Sequence, residues 1–407
     1  MTEKQAVKMA DVMEAEEVLK NVVKRTPIEH SRMFSEIARN DIYLKLENLQ
    51  TTGSFKIRGA YNKIYHLSNE ERLRGVVASS AGNHSQGVAY AAKLLGVKAT
   101  IFMPIFTPPS KIIATKSYGA DVKLYGETYD DAYKKATEFT EKNNMVFIHP
   151  FNDPYVIAGQ ATIGLEIFEQ LKNLDAVVVP IGGGGLISGI AFSVKSLDKN
   201  IKIIGVEAEG AQSMKLSIEK GEIVPLVNLK TIADGIAVKI PGPLTFNMVK
   251  TYVDELVTVT DDEIARAMYL LLTRNKIVAE PAGAVSLAAI FSGKIKMRDK
   301  KVCALISGGN VDYNLLNQIT QKGMLNEKSL VKISVIIPDK PGSLKNILAY
   351  LSENQINVQN IYVERVEKDI PAGMAKIIVT VQTIGIENIR SIEEFLIKEK
   401  IEYKLLM

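Results

Sequence analysis

The sequence predicts an α/β fold, followed by a smaller domain with a ferredoxin-like βαββαβ order. The chain has 407 residues, which is too long for a single ordinary hydrophobic core. From about residue 40 to 320, short apolar strands alternate with helical patterns, which is typical of an α/β fold. From residue 331 onward the rhythm changes to alternating strands and amphipathic helices in a different order. We therefore expect two or three domains.

The elements follow in chain order from runs of β-branched residues and from helical periodicity. In the first part we predict strands at 75–78, 99–103, 122–125, 175–180, 202–207 and 302–307, and helices at 84–95, 112–118 and 129–142. In the last part we predict strands at 331–337, 358–363 and 375–381, a short final strand, and helices at 343–352 and 387–399. The polar segment 321–330 predicts a linker. The predicted domains are thus 1–320 and 331–407.

Composition and charge argue against several classes of function. The 50 Lys and Arg are scattered and nearly balanced by 46 Asp and Glu, so no nucleic-acid partner is predicted. The start of the chain is charged and unlike a signal peptide, and the uncharged stretch 176–194 contains Pro180 and five glycines, which argues against a membrane span. The single cysteine, Cys303, lies in an apolar run and predicts a buried residue and a reducing, cytoplasmic location. The four histidines lack metal-ligand spacing, so no metal site is predicted from them.

The segment 52–59, with the sequence TGSFKIRG, contains the first candidate catalytic residue. Ser54 is a predicted N-cap, which places Lys56 in the first turn of a helix. The helix dipole and burial beside Phe55 both disfavour the charged ammonium and favour the neutral amine. A nucleophilic lysine must be in the neutral form. Taken alone, one basic residue among 50 is more often a solvated surface lysine.

Two loops between a predicted strand and a predicted helix are candidate anion sites, because helix N-termini present free N–H groups. The first consists of Ser79, Ser80, Ala81, Gly82, Asn83 and His84. It suits a substrate carboxylate, although a βα loop without a ligand fits equally well. The second consists of Gly182, Gly183, Gly184, Gly185 and Leu186. Four glycines let several N–H groups point at one phosphate group. The spacing of the glycines, with Glu207 after the next strand, also loosely resembles a dinucleotide-binding fold, so the phosphate compound is not determined by this loop alone.

A hydroxyl group ends the last strand of the first part. Ser307 begins the segment SGGN, and strand ends are where ligands bind in open α/β sheets. An ordinary turn explains the segment somewhat better when it is considered alone.

In combination and in this order, GSFKIRGA, SSAGNHSQG, GGGGLISG and SGGN resemble the fold-type II pyridoxal-phosphate enzymes, and threonine dehydratases (threonine ammonia-lyases) most closely. The segments Thr26-Pro27 and EPAGA at 280–284 are similar too, and the match covers most of residues 10–320. The resemblance implies two open α/β subdomains, the smaller at about 48–153. It also implies the cofactor pyridoxal 5′-phosphate.

The resemblance further implies a role for each segment. Lys56 would hold the cofactor covalently, Phe55 would lie against its ring, and Asn83 would bind its ring oxygen. Residues 182–186 would hold the phosphate, and Ser307 would meet the ring nitrogen. The loop of Ser79, Ser80, Ala81, Gly82 and His84 would bind a small amino acid. The implied reaction converts L-threonine, and also L-serine, to a 2-oxo acid and ammonia.

Two rival functions stay open at this point. Serine dehydratases and racemases share most of these motifs, but racemases have a serine where this chain has Ala81, and an acidic metal ligand where it has Ser213. Both departures favour elimination, and they leave a monovalent cation near Glu207 as the remaining metal prediction. A non-catalytic amino-acid sensor is the alternative of another class, although all four segments are intact.

The last part of the chain resembles an ACT domain. Its loop before the predicted helix 343–352 contains Asp339, Pro341, Gly342, Ser343 and Leu344. Gly342 would free the backbone and Ser343 would cap the helix. The resemblance implies paired domains in a homodimer or homotetramer that bind an effector such as isoleucine or valine, as in feedback control of isoleucine biosynthesis. A purely structural domain is the alternative.

Overall fold

A computed structural model describes residues 7–406, which form two compact units. The first unit ends at Asp312 and the second begins at Tyr313. Within the described range, no helix combines the length and the apolar character that crossing a membrane requires. The stretch 176–194 instead forms a strand, a glycine loop and a helix, and Cys303 is buried as predicted.

The first unit alternates strands and helices. Its strands are β1 (Ile28–His30), β2 (Asp41–Leu46), β3 (Val76–Ser79), β4 (Ala99–Met103), β5 (Asp121–Leu124), β6 (Val146–Phe147), β7 (Ala176–Pro180), β8 (Lys202–Ala208), β9 (Glu255–Val259) and β10 (Lys301–Ile306). Its helices are α1 (Met9–Leu19), α2 (Arg32–Ala38), α3 (Lys56–Tyr65), α4 (Asn69–Arg74), α5 (Asn83–Leu94), α6 (Pro109–Ser117), α7 (Tyr129–Lys142), α8 (Pro154–Gln170), α9 (Gly185–Leu197), α10 (Ser213–Lys220), α11 (Pro243–Tyr252), α12 (Asp261–Leu270) and α13 (Pro281–Phe291).

Two separate sheets confirm the predicted α/β class. The larger has the order β1-β2-β10-β7-β8-β9, and all its pairs are parallel except β1 with β2. The smaller sheet, β5-β4-β3-β6, is fully parallel and lies within the range 48–153. Because β7 and β10 are parallel neighbours, the glycine loop and Ser307 leave the larger sheet at the same edge.

The second unit has the predicted βαββαβ order. Its elements are α14 (Tyr313–Asn326), β11 (Leu330–Pro338), α15 (Lys345–Glu353), β12 (Val358–Glu364), β13 (Met374–Gln382), α16 (Ile386–Lys398) and β14 (Glu402–Leu406). The strands form an antiparallel sheet in the order β12-β13-β11-β14. Alternate residues of β11 and β13 pack against apolar residues of α15 and α16, where the Tyr350 and Phe395 rings stack at 4.0 Å.

Two local predictions for this part differ from the structure. The predicted linker 321–330 contains the end of α14 and the first residue of β11, and only Ile319 and Gly323 of that helix are buried, so its sequence carries little periodicity. Ser343 is not a helix cap, because α15 begins at Lys345 after a turn and has Leu344 at its N-cap position. Gly342 adopts a φ of +90°, as its proposed role in the turn requires.

A buried network of four charged side chains connects β2, α3 and α8. The Arg58 guanidinium donates to both carboxylate oxygens of Glu47, at 2.8 and 2.9 Å, and to Glu166 at 2.7 Å. Lys45 Nζ donates to the other Glu166 oxygen at 2.5 Å. Two cations and two carboxylates balance, and Arg58, Lys45 and Glu47 have no exposed surface. Since unpaired buried charges are costly, this network fixes how α3 sits on α8.

The substitution Arg58→Met is expected to lower the free energy of unfolding of the first unit by about 3–5 kcal/mol, because it leaves Glu47 and Glu166 short of a buried partner. The measurement is urea unfolding followed by tyrosine fluorescence. The control is Arg25→Met, which breaks the exposed pair of Arg25 with Glu169 and should cost at most about 1 kcal/mol. Equal, small effects of both substitutions would contradict this account of the network.

Candidate active site

Lys56 is the first residue of α3 and so lies in the first turn of a helix, as the sequence predicted. The segment before it is tied to the end of β10, because the Phe55 N–H donates to the Ser307 carbonyl at 3.2 Å and the Gly309 N–H donates to the Gly53 carbonyl at 2.9 Å. These backbone bonds bring Lys56 close to Ser307 in space. The Ser307 hydroxyl is buried and donates over 3.4 Å to the Ala282 carbonyl.

The predicted N-cap role of Ser54 is wrong. Phe55 occupies the N-cap position of α3, and no side chain caps that helix. Ser54 instead forms an isolated antiparallel bridge with Gly308, and its buried hydroxyl has no hydrogen-bond partner among residues 7–406. The bridge between Ser54 and Gly308 determines the backbone conformation at Ser54, and no local sequence pattern predicts such a long-range contact. The start of α3 therefore keeps free N–H groups.

The Lys56 side chain is half-buried, and its Nζ donates to the Pro150 carbonyl at 3.0 Å and lies 5.2 Å from the centre of the Phe55 ring. Burial lowers the pKa of Lys56 from 10.5 to about 8, and the nearby Glu280 carboxyl opposes part of that shift. A substantial fraction of this lysine is therefore a neutral amine near pH 8, which is the form that attacks a carbonyl group.

The loop between β3 and α5 has the shape of an anion site. Ser79 ends β3, the Gly82 N–H donates to Ser80 Oγ at 3.1 Å, and α5 begins at Asn83 without a side-chain cap. A Cβ built on Gly82 would meet nothing within 4 Å, so the loop, which includes Ala81, faces open space. The N–H groups at the start of α5 have no side-chain cap and lie next to this open space, so they are suited to bind a carboxylate.

The Asn83 amide is held by two neighbours. Its Nδ2 donates to Glu280 Oε1 at 2.5 Å, and its Oδ1 accepts from Asn310 Nδ2 at 2.7 Å. Asn310 Nδ2 also donates to the Thr52 carbonyl at 2.9 Å. Because the Asn83 amide carries two N–H groups, one of them is left for a ligand. The orientation of that group is therefore fixed before any ligand binds.

Glu280 is a site residue to which the sequence assigned no role. It is buried, and desolvation raises its pKa to about 7, with the Asp234 carboxylate adding to the shift. The signal in the sequence was the segment EPAGA at 280–284, which resembles the family's but gave Glu280 no role of its own. Its importance comes from its partners Asn83 and Lys56, which are distant in the chain.

The His84 side chain is committed to the protein. Its Nε2 donates to the Ile148 carbonyl at 2.8 Å, and burial lowers its pKa to about 3. The ring is therefore neutral, with the tautomer set by that carbonyl. His84 can therefore contribute to a ligand site only through its backbone, in the first turn of α5.

The glycine loop follows β7 and opens α9. Gly184 is the N-cap with a φ of +91°, a conformation that favours glycine, and no side chain caps the helix. Leu186, in the first turn, packs in the same core cluster as Phe55. The loop thus presents uncapped backbone N–H groups beside the segment that carries Lys56, which suits a phosphate.

Glu207, at β8, is buried, and burial raises its pKa to about 8. Its carboxylate accepts the N–H groups of Met214 and Lys215 at 2.9 and 2.8 Å, so it caps α10. Within residues 7–406, no cluster of three or more His, Cys, Asp or Glu is arranged to hold a metal ion. The monovalent cation near Glu207 stays a prediction.

In the second unit, the loop from Asp339 to Leu344 precedes α15. The Asp339 carboxylate accepts from Arg365 Nε at 2.9 Å, across to the segment after β12. A Cβ on Gly342 would meet nothing within 4 Å, so the turn formed by Pro341, Gly342 and Ser343 is open on that side. These residues are placed where a small ligand has access to the turn.

Two family models match the chain. Residues 19–308 match the family described as pyridoxal-phosphate dependent enzyme, and residues 331–396 match the ACT domain. An L-threonine ammonia-lyase of Thermotoga maritima is 49% identical over 98% of this chain and 99% of its own. A second L-threonine ammonia-lyase, of Geobacter sulfurreducens, is 42% identical over 94% of this chain and 95% of its own. The catabolic L-threonine dehydratase TdcB of Escherichia coli is 46% identical over 77% of this chain and 96% of its own.

Solved structures agree with these relatives. The processed form of threonine deaminase isoform 2 from Solanum lycopersicum superposes with a TM-score of 0.74 at 42% identity, over 77% of this chain and 91% of that one. Maize serine racemase has the same TM-score of 0.74 at 36% identity, over 79% of this chain and 99% of that one.

The site has what pyridoxal phosphate requires of a protein. A half-buried amine with a lowered pKa suits its aldehyde, an uncapped glycine loop suits its phosphate, and an oriented amide and a buried hydroxyl suit its ring. The fit of these residues agrees with the family models and with relatives that cover nearly the whole chain. The chain belongs to the family of pyridoxal-phosphate dependent enzymes, and it carries an ACT domain after its catalytic unit.

Proposed function

We propose that this chain is a threonine ammonia-lyase, which converts L-threonine to 2-oxobutanoate and ammonia and also acts on L-serine. One observation carries the proposal: the half-buried Lys56 amine, with a pKa of about 8, lies beside two uncapped helix starts and the Asn83 amide. The names of the relatives that share nearly the full length of the chain support the choice of threonine.

Each segment of the site then has a task toward the cofactor. We assign covalent attachment to Lys56, the phosphate to residues 182–186, the ring face to Phe55, the ring oxygen to Asn83 and the ring nitrogen to Ser307. When bound, the cofactor supplies an electron sink that weakens the Cα–H bond of an attached amino acid. A serine hydroxyl, unlike a carboxylate, does not hold the ring nitrogen protonated, which favours prompt loss of the β-substituent.

Lys56 is also the proton acceptor. Its neutral amine takes the Cα proton of the substrate, as a base with a pKa near the working pH does efficiently. Glu280 acts through Asn83, because its carboxyl holds the Asn83 amide in place. The free N–H groups at the start of α5 bind the substrate carboxylate, and Ser79, Ser80, Ala81 and Gly82 form the wall around it.

Serine racemase is the second candidate, because maize serine racemase superposes well on the first unit. Ala81 argues against it, since its methyl group carries no acidic proton to donate on the opposite face. Serine remains a secondary substrate for elimination, because one methyl group changes selectivity by only about 1–3 kcal/mol. Production of D-serine from L-serine at a rate comparable to 2-oxobutanoate formation would favour the racemase.

The substitution Lys56→Ala is expected to abolish both the visible absorbance of the bound cofactor and the formation of 2-oxobutanoate from threonine, because the attaching amine and the base are the same atom. The control is Lys142→Ala at the exposed end of α7, which should keep both. Turnover at the wild-type rate in the Lys56 variant would overturn the assignment.

The rate at which the apoenzyme forms its visible absorbance with added pyridoxal phosphate should rise with pH, with a midpoint near 8. The rate rises with pH because the amine reacts only when it has lost its proton. The same reaction with a simple alkyl amine, measured in parallel, corrects for the ionisation of the cofactor itself. Glu280→Gln should move the midpoint to lower pH, because the Glu280 carboxylate favours the ammonium form. A midpoint near 10.5, or an upward shift in the variant, would contradict the description of this site.

We further propose that the second unit regulates the first. The division follows the sequence prediction: a catalytic part, 1–320, with the smaller subdomain at 48–153, and a regulatory part, 331–407. The ACT family match supports binding of an amino-acid effector by the turn at Asp339, Pro341, Gly342, Ser343 and Leu344. Paired ACT domains would make the enzyme a homodimer or homotetramer, and the single buried cysteine suits the cytoplasm.

Isoleucine or valine is expected to change the rate or the KM for threonine when it is added to the full-length enzyme, with glycine as the control amino acid. The physical reason is that an effector which binds one state of the enzyme better than another shifts the balance between them. The measurement is steady-state 2-oxobutanoate formation at several effector concentrations. Unchanged kinetics with every branched-chain amino acid would remove the regulatory proposal.

A further inference from the structure

We propose that His149 is a positioning residue, whose imidazole shapes a turn that braces Lys56 against the glycine loop. The turn consists of residues 149–152, between β6 and α8. The inference rests on the proposed function, since it concerns how the site is assembled for the cofactor. No local pattern in the sequence distinguishes this histidine from the other three.

The imidazole of His149 closes the turn. Its Nδ1 accepts the Asn152 N–H at 2.8 Å and the Phe151 N–H at 3.2 Å. A ring nitrogen that accepts two hydrogen bonds carries no proton, so the ring is the neutral tautomer with its proton on Nε2. Burial is the main cause that lowers the pKa of His149 to about 4, which keeps the ring neutral at ordinary pH.

One side of the turn holds the Lys56 amine. The Pro150 carbonyl accepts from Lys56 Nζ at 3.0 Å, and Pro150 lies between His149 and the two N–H groups that His149 binds. The direction of that carbonyl is therefore determined by the closed turn. The neighbouring Ile148 carbonyl accepts from His84, which ties the same segment to the start of α5.

The other side of the turn is pressed against the glycine loop. A Cβ built on Gly183 would lie 2.3 Å from the Phe151 ring, and one built on Gly185 would lie 2.8 Å from Phe151 Cα. The rings of His149 and Phe151 meet edge to face at 4.6 Å. The loop that we assign to the phosphate thus takes its position partly from Phe151, which His149 holds from two directions.

The turn is also anchored beyond the site. The Leu244 N–H at the start of α11 donates to Asn152 Oδ1 at 3.0 Å. Asp153 caps α8, and its other carboxylate oxygen pairs with Lys63 of α3 at 2.7 Å. Asp153 raises and Lys56 lowers the pKa of His149, and His149 in turn lowers the pKa of His84. Loss of the ring acceptor would loosen Lys56 and the glycine loop together.

The test compares His149→Ala, which removes the acceptor, with His149→Asn, whose side-chain oxygen restores one near the same N–H groups. The control is His30→Ala, which removes a half-exposed histidine of β1 that pairs with Asp41. Pyridoxal phosphate is titrated into each apoenzyme, and thermal unfolding of the apoenzyme and turnover of threonine are measured alongside. Two lost hydrogen bonds predict about tenfold weaker cofactor binding in the alanine variant.

The inference predicts that the asparagine variant recovers most of the cofactor affinity, that the alanine variant loses kcat more than it raises KM, and that its apoenzyme still unfolds cooperatively, at most a few degrees below the wild type. Wild-type affinity in the alanine variant, or equally weak binding in both variants, would overturn it. If the alanine variant does not fold, the asparagine variant decides alone: near-wild-type affinity supports the inference and tenfold weaker binding overturns it. A wild-type protein without cofactor absorbance or turnover would instead refute the proposed function.

Discussion

The pairing of Arg58 with Glu47 and Glu166 is the interaction on which the rest of the site depends. Arg58 lies two residues after Lys56, on the first turns of the same helix, and its buried guanidinium reaches Glu47, directly after β2, and Glu166 of α8. Any rotation of α3 would leave buried charges without partners, at a cost of several kcal/mol. The buried charges of Arg58, Glu47 and Glu166, which do not contact a ligand themselves, therefore fix the direction of the Lys56 amine.

The chemistry of the site comes from the ends of strands in two sheets. The loops after β7 and β10 leave the larger sheet side by side, whereas the loop that we assign to the substrate carboxylate follows β3 of the smaller sheet. Asn83 and Asn310 connect the two sheets at 2.7 Å, and the turn at 149–152 makes a second connection through Pro150 and Phe151. A cofactor held by residues from both sheets is thus oriented by both, which is what pre-organisation requires.

Local chemistry could be predicted from the sequence, and long-range partners could not. Helix α7 and strand β4 begin and end where the pattern predicts, and the loops at 79–84 and 182–186 lie at the predicted junctions of strand and helix. Ser54 failed as a cap because its backbone pairs with Gly308, more than 250 residues away. Glu280 and His149 matter through partners on other elements, and such contacts leave no periodic trace in the chain. Helix α14 was missed for another reason, because only two of its residues are buried and its sequence carries little helical periodicity.

The account depends most on the claim that Lys56, and no other lysine, carries the cofactor. The direct measurement is borohydride reduction of the enzyme with its bound pyridoxal phosphate, followed by proteolysis and mass spectrometry of the peptides. The account predicts one stable added mass per chain, located on Lys56, and none when excess threonine has displaced that lysine before reduction. An added mass on a different lysine, unaffected by threonine, would contradict it.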